Sequence, residues 1–149
     1  MNDERLTADF HLSEFLRSDK AVRLGLDNIP DALAMASIRN FLAPGMQQVR
    51  DLIGAPINIS SGYRAPQVNA AVGGSRSSQH MQGLAADFTA PFFGTPLQIA
   101  RAIVASHIKF DQLIQEGSWV HISFSAKPRR SVLTAKFTNG VASYLHGLV

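Results

Sequence analysis

The sequence has no cysteine among its 149 residues. That excludes a disulfide scaffold, a thiolate metal site and a cysteine nucleophile together. Any metal must then rest on His, Asp or Glu. Charge is also sparse, at 17% of residues against about 25% in an ordinary globular chain. With 46% apolar residues, this composition argues against disorder and against a coiled coil. It supplies enough apolar side chains for a core without staples. No run approaches the roughly 18 apolar residues that span a bilayer, so membrane insertion is not expected. The opening Met1-Asn2-Asp3-Glu4-Arg5 has no basic segment leading into an apolar one, so no secretory signal is read. Synthesis in the cytoplasm without a signal peptide is the expectation.

Acids are the scarcest charges. After Asp51 only Asp87, Asp111 and Glu116 remain, while Lys127, Arg129, Arg130 and Lys136 crowd the last quarter. The net charge is +3 and the isoelectric point is near 9.7, which favours anionic partners, cell-wall polymers among them. These basic residues form no dense run and do not alternate with aromatics as a single-strand platform would. Nucleic acid is therefore not the expected partner. The length fits one domain over residues 1–149, within the usual size of about 100–150 residues, and a monomer is expected.

Ser13 or Asp9 is placed to cap a short helix through Glu14-Phe15-Leu16, and a second through Lys20–Arg23 stops at Gly25. Pro30-Asp31 opens the strongest helical pattern, in which Leu33, Ile38, Phe41 and Leu42 recur near helical spacing. Pro44 inside that pattern predicts a kink or a break. The pattern resumes at Met46, Val49, Leu52 and Ile53, and Gly54 ends it. Ile57–Ser60 alternates as a strand and leaves in a turn over Ser61–Arg64. Pro66–Val72 reads as a short helix, Ala85–Thr89 as a buried strand and Pro96–Ser106 as a helix. Three further strands are read at Gln112–Gln115, Trp119–Phe124 and Ser131–Phe137. Gly117-Ser118 joins the first two as a hairpin. Helices first and strands later predict an α+β fold, helices packed on a small antiparallel sheet.

Common catalytic motifs are missing: there is no His-Glu-x-x-His pair and no phosphate loop. Gly73-Gly74-Ser75-Arg76-Ser77 fails the Gly-x-Ser-x-Gly elbow at its last position, and Ser106-His107-Ile108-Lys109 lacks the companions of a Ser-x-x-Lys site. What remains is His80 in a Ser/Gly-rich segment, Asp87 in the strand that follows, and His121 in a later strand. If those strands are neighbours, the three side chains converge. Two imidazoles and a carboxylate make a zinc site with its fourth position open. The spacing alone also fits a satisfied core histidine, and an Asp87 that caps a turn or pairs with Arg101.

The residues around this trio carry a resemblance. Ile59-Ser60-Ser61-Gly62-Tyr63-Arg64, Asn69, Val72-Gly73-Gly74, Ser78-Gln79-His80 with Gly83 and Asp87, and Trp119-Val120-His121 together resemble the zinc D-alanyl-D-alanine carboxypeptidase and peptidoglycan endopeptidase family. The likeness is greatest to its small phage-encoded, endolysin-like members. Those also carry segments like Phe10-His11-Leu12-Ser13-Glu14-Phe15 and Asp111-Gln112-Leu113-Ile114 with a Glu two places on. The likeness runs from about Phe10 to Phe137.

The resemblance implies the Hedgehog/D-Ala-D-Ala peptidase-like fold and one zinc ion per chain, held by His80, Asp87 and His121. It implies that Arg64 holds a substrate carboxylate or stabilises the oxyanion, a task suited to a planar guanidinium. A surface salt bridge is the other reading of Arg64. Ser78 is implied as a substrate contact, or else it caps its turn. The dipeptidase branch of the family has a Glu three residues before the last His, where this chain has Ser118. Glu116 stands five residues before His121, where the small phage-encoded members look like this chain, so the resemblance implies it as the general base; a solvated turn carboxylate is its other reading, and Asp111 is the runner-up, read first as structural. Tyr63 and Trp119 are expected to shape the substrate groove or to belong to the core, and Gln79 to support the ligands from behind.

The expected function is hydrolysis of peptidoglycan stem peptides by a zinc peptidase, in phage-induced host lysis, at the cell wall after release. A non-catalytic wall-binding or virion structural module on the same fold is the alternative. A zinc peptidase for ordinary L-peptides is a third.

Overall fold

Alternation along four short strands decides which side chains reach the open face of the sheet. The computed structural model describes residues 3–149. Strands β1 (Asn58–Ser61), β2 (Ala85–Thr89), β3 (Gln112–Gln115), β4 (Val120–Ser123), β5 (Ser131–Thr138) and β6 (Val141–His146) form one sheet in the order β1-β2-β4-β3-β5-β6. Ala86, Phe88, Leu113, Val120 and Ile122 enter the core cluster. A strand's side chains alternate between its two faces. The residues between them, Asp87, Ile114 and His121, therefore take the opposite face.

The core face is covered by helices. Helix α4 (Ala43–Ile53) buries Ala43, Met46, Val49 and Ile53, and α6 (Pro96–Val104) buries Ile99, Ala100 and Ile103. Short helices α1 (Leu12–Leu16), α2 (Asp19–Leu24), α3 (Ala32–Ser37) and α5 (Pro66–Ala71) complete the shell. None of the helices among the described residues is long and apolar enough to cross a membrane.

Three expectations change. The chain does not break at Pro44. A π-helical turn over Ile38–Leu42 joins α3 to α4, and the Ala43 N–H bonds the Ile38 carbonyl five residues back. Proline cannot donate and its ring crowds the carbonyl four residues earlier; the wider turn accommodates both without ending the helix. At α1, the capping position is His11, whose N–H donates to Glu14 Oε2 at 2.7 Å, rather than Ser13 or Asp9. The sheet is not wholly antiparallel, because β5 runs parallel to β3, and it has a sixth strand, β6, for which no strand is read above.

Candidate metal centre and its cleft

The first candidate ligand sits on a turn that its own sequence builds. Ser78 Oγ accepts from the His80 N–H at 3.2 Å and starts a single 3₁₀ turn, Gln79–Gln82. Gly83 ends it at φ 72°, pressed against the Ala34 carbonyl, where a Cβ would not fit. Positive φ and lack of space both call for glycine there. His80 Nδ1 lies 2.7 Å from the Gly62 carbonyl. A carbonyl only accepts, so Nδ1 carries the proton and Nε2 of the neutral ring keeps a lone pair. Gly62 holds that carbonyl close because a Cβ there would stand 2.5 Å from the Phe15 carbonyl oxygen.

The second and third candidates come from paired strands. Asp87 and His121 are direct partners in the β2–β4 register. His121 Nδ1 lies 2.9 Å from Asp87 Oδ1, and His80 Nε2 lies 3.3 Å from the same oxygen. The three residues offer ligand atoms that all lie within 4.8 Å of one another. His80 is 2% exposed, and its Nε2 has no hydrogen-bond partner. A buried lone pair facing a carboxylate oxygen is unfavourable unless positive charge lies between them. Burial by itself would raise the Asp87 carboxyl, but the hydrogen bond from His121 and the neighbouring His80 prevail and hold it well below the usual carboxylate range. Nitrogen, oxygen and nitrogen from three protein side chains suit zinc, with a position left open.

Glu116 stands just past the end of β3 and accepts from Trp119 Nε1 across the tight Gly117-Ser118 turn. It is half-buried, and burial raises its carboxyl above the ordinary range, with the Asp87 charge pushing the same way. His121, the Trp119 hydrogen bond and Arg64 pull against this without cancelling it. Arg64 is half-buried, and its Nε is without a partner. Among the described residues it forms no ion pair, so the salt-bridge reading of Arg64 does not fit.

An open cleft of about 830 Å³ brings Arg64, Ser78, Glu116 and Trp119 together with the His80, Asp87 and His121 cluster. Tyr63 is not on its wall. The Tyr63 side chain is buried in the core, with its hydroxyl 3.5 Å from the Ile29 carbonyl oxygen. The backbone at 62–64 must approach α1 and the His80 turn, so it directs Tyr63 inward and Arg64 outward. Asp87 binds the two histidines rather than Arg101, which is exposed on α6.

A sequence model of the family described as Peptidase M15 matches residues 8–123. The chain belongs to the Peptidase M15 family. No curated protein matches it in sequence. The matched span of this M15 chain takes in all three candidate ligands, Arg64, Ser78 and Glu116, and ends before β5.

The roles of several polar residues around the M15 cleft differ from, or go beyond, those read from sequence. Asn69 is buried on α5 and ties down the loop that carries Ser78, with Nδ2 donating to the Ser75 carbonyl at 2.9 Å. Asp111 is not free to act as a base. It is buried, and it accepts from Arg129 Nε and Nη2 at 3.0 and 2.8 Å and from Gln79 Nε2 at 2.9 Å. Gln79 thus supports Asp111 rather than a histidine. The hydrogen bonds from Arg129 outweigh burial and hold the Asp111 carboxyl at about 2. The unfolded chain protonates this group near 3.8, so between the two values the unfolded state binds more protons and stability rises with pH. The stabilisation is present above the ordinary Asp range and is lost as pH falls through about 2. Arg129→Ala is expected to flatten the pH dependence of urea unfolding between about pH 4 and pH 2. An unchanged slope would show that the pair is energetically idle.

Proposed function

We propose that this M15 peptidase is a zinc enzyme that hydrolyses peptide bonds of peptidoglycan stem peptides, as a D-Ala-D-Ala carboxypeptidase or endopeptidase. The observation that carries the reading is the buried, unpartnered Nε2 of His80 facing Asp87 and His121. His80, Asp87 and His121 would hold one zinc. When bound, zinc supplies a Lewis acid that acidifies water and draws electron density from the scissile carbonyl.

The remaining chemistry falls to the chain's own residues. Glu116 takes a proton from the attacking water and returns it to the leaving amine. Trp119 holds that carboxylate by its indole N–H, leaving the other carboxylate oxygen for the proton. Arg64, half-buried and unpaired, donates to the negative charge of the substrate, either a terminal carboxylate or the developing oxyanion. Ser78 and Trp119 line the groove and contact the peptide. The +3 balance favours approach to an anionic wall. The reading extends to a phage lysis enzyme that works at the wall after release from the host cytoplasm.

Digestion of purified sacculi followed by mass analysis of the soluble fragments tests this function. New peptide termini are expected, and their identity separates loss of a terminal D-Ala from internal cleavage. Intact sacculi after exposure to the zinc-loaded protein would overturn the peptidase reading in favour of a wall-binding module.

A further inference from the structure

The β5–β6 hairpin lies beyond the family-matched residues 8–123, yet it reaches the same cleft. Partner residues across a sheet point to one side. Asp87, His121, Ile114, Leu133 and His146 are successive partners from β2 to β6 and form one row on the open face. Ala135, which pairs with Tyr144, lies one position beyond Thr134, the partner of Gln115. Glu116, Ala135 and Tyr144 are therefore the next row of that face. Phe137 lies on the same face, diagonal to Tyr144. Ala135 is small and buried between them, so the larger rings stand above it. Phe137 and Tyr144 are 53% and 52% exposed, and both line the cleft.

The hairpin is anchored well enough to hold these rings in place. Asn139 and Gly140, with φ 53° and 78°, make the two-residue loop, and positive φ at both positions matches the twist of the strands. At the other end Thr134 Oγ1 donates to the Gly147 carbonyl at 2.7 Å, and the Gly147 N–H donates to Val132 at 2.8 Å. Burial raises the Tyr144 hydroxyl above its ordinary range, and the charges of Glu116 and Asp87 add to that rise. The phenol thus stays a hydrogen-bond donor at neutral pH and lies within the field of the two carboxylates.

We propose that the β5–β6 hairpin is the far wall of the substrate cleft, with Tyr144 donating a hydrogen bond to the peptide and Phe137 packing on its aliphatic side chains. This assignment rests on the peptidase reading and deepens it, making Tyr144 and Phe137 residues that set affinity for the stem peptide. An exposed aromatic pair gives an extended peptide a large contact area, and the phenol gives it one polar anchor.

The test measures binding apart from turnover. Trp119 is the chain's single tryptophan, so its fluorescence reports on the cleft. Zinc-loaded Glu116→Ala protein is titrated with a purified disaccharide-pentapeptide from peptidoglycan. A saturable change is expected, with Kd raised about tenfold by Phe137→Ala or Tyr144→Ala. Tyr144→Phe is expected to recover the packing but not the hydrogen bond, with a loss on the order of threefold. In the active protein the same changes raise KM more than they lower kcat. If an alanine variant melts early, Phe137→Leu and Tyr144→Phe carry the comparison. Affinities within twofold of the parent, or no saturable change, would overturn the wall. Failure of the wild type to cut sacculi would instead sink the peptidase reading, and the binding constants would still decide on the wall.

Discussion

Glu116→Ala is expected to lower peptidoglycan turnover by a factor on the order of 100 or more while the protein still binds one zinc per chain. Among the described residues the carboxylate belongs to no cluster of metal donors, so its loss leaves the His80, Asp87 and His121 set untouched. The two readouts, rate and metal content, separate a general base from a ligand. The pH profile adds a sign. Burial raises the Glu116 carboxyl above the ordinary range near 4.5, and a base works only when ionised. Activity should rise with pH as Glu116 ionises, and the limb should vanish from the residual activity of Glu116→Ala. The Trp119 hydrogen bond lowers the Glu116 carboxyl, so Trp119→Phe should move the limb further up. A full rate in Glu116→Ala would assign the base elsewhere. Asp111 would be a poor substitute while Arg129 and Gln79 occupy it.

How much of this was legible in the sequence depends on which force sets each element. Ala85–Thr89 is read at its observed bounds because burial on both faces makes the strand almost continuously apolar around Asp87. Gly25 and Gly54 end their helices as read, since both adopt the left-handed conformation that glycine tolerates. Of the kink or break read at Pro44, the break fails because the rule against proline in helices assumes an α-helical turn before it, and here that turn is π-helical. Strand β6 is missed because most of Val141–His146 is exposed, so its apolar residues show no clean alternation. A signal was nevertheless present: Asn139-Gly140 directly after a strand is a strong hairpin dipeptide.

The candidate site was legible in part for the same reason. His80, Asp87 and His121 are polar residues in apolar or glycine-rich surroundings, which makes them candidates, but their spacing also fits core histidines, and it is the family resemblance that implies them as ligands. Their convergence follows once β2 and β4 pair. Tyr63 was less legible because a tyrosine beside a functional arginine fits a groove and a core equally well. The close approach of Gly62 to α1 turns it inward. The Asp111–Arg129 pair joins residues 18 positions apart across a loop and a parallel strand pairing, which no local pattern encodes.

Asp87→Asn is expected to abolish zinc binding and bring sacculus cleavage to background. Asp87 Oδ1 is the atom that both histidines approach, at 2.9 Å for His121 Nδ1 and 3.3 Å for His80 Nε2. Asparagine keeps the size but removes the negative charge that offsets a buried dication. His80→Ala should have the same effect and also leave the Gly62 carbonyl without its donor. Metal removal gives an independent readout, because a ligand that binds only the native state adds stability as RT ln(1 + [L]/Kd). At a thousandfold excess over Kd this is about 4 kcal/mol, or roughly 10 °C in melting temperature for a chain of this size. Chelation of the wild type should therefore lower the melting temperature and abolish turnover together, and added zinc should restore both. The chelator should leave the melting temperature of Asp87→Asn unmoved. Full zinc occupancy in Asp87→Asn, or a wild type that melts identically with and without chelator, would remove the metal from this cluster. It would leave the short His121–Asp87 and His80–Asp87 contacts as a polar cluster without a metal.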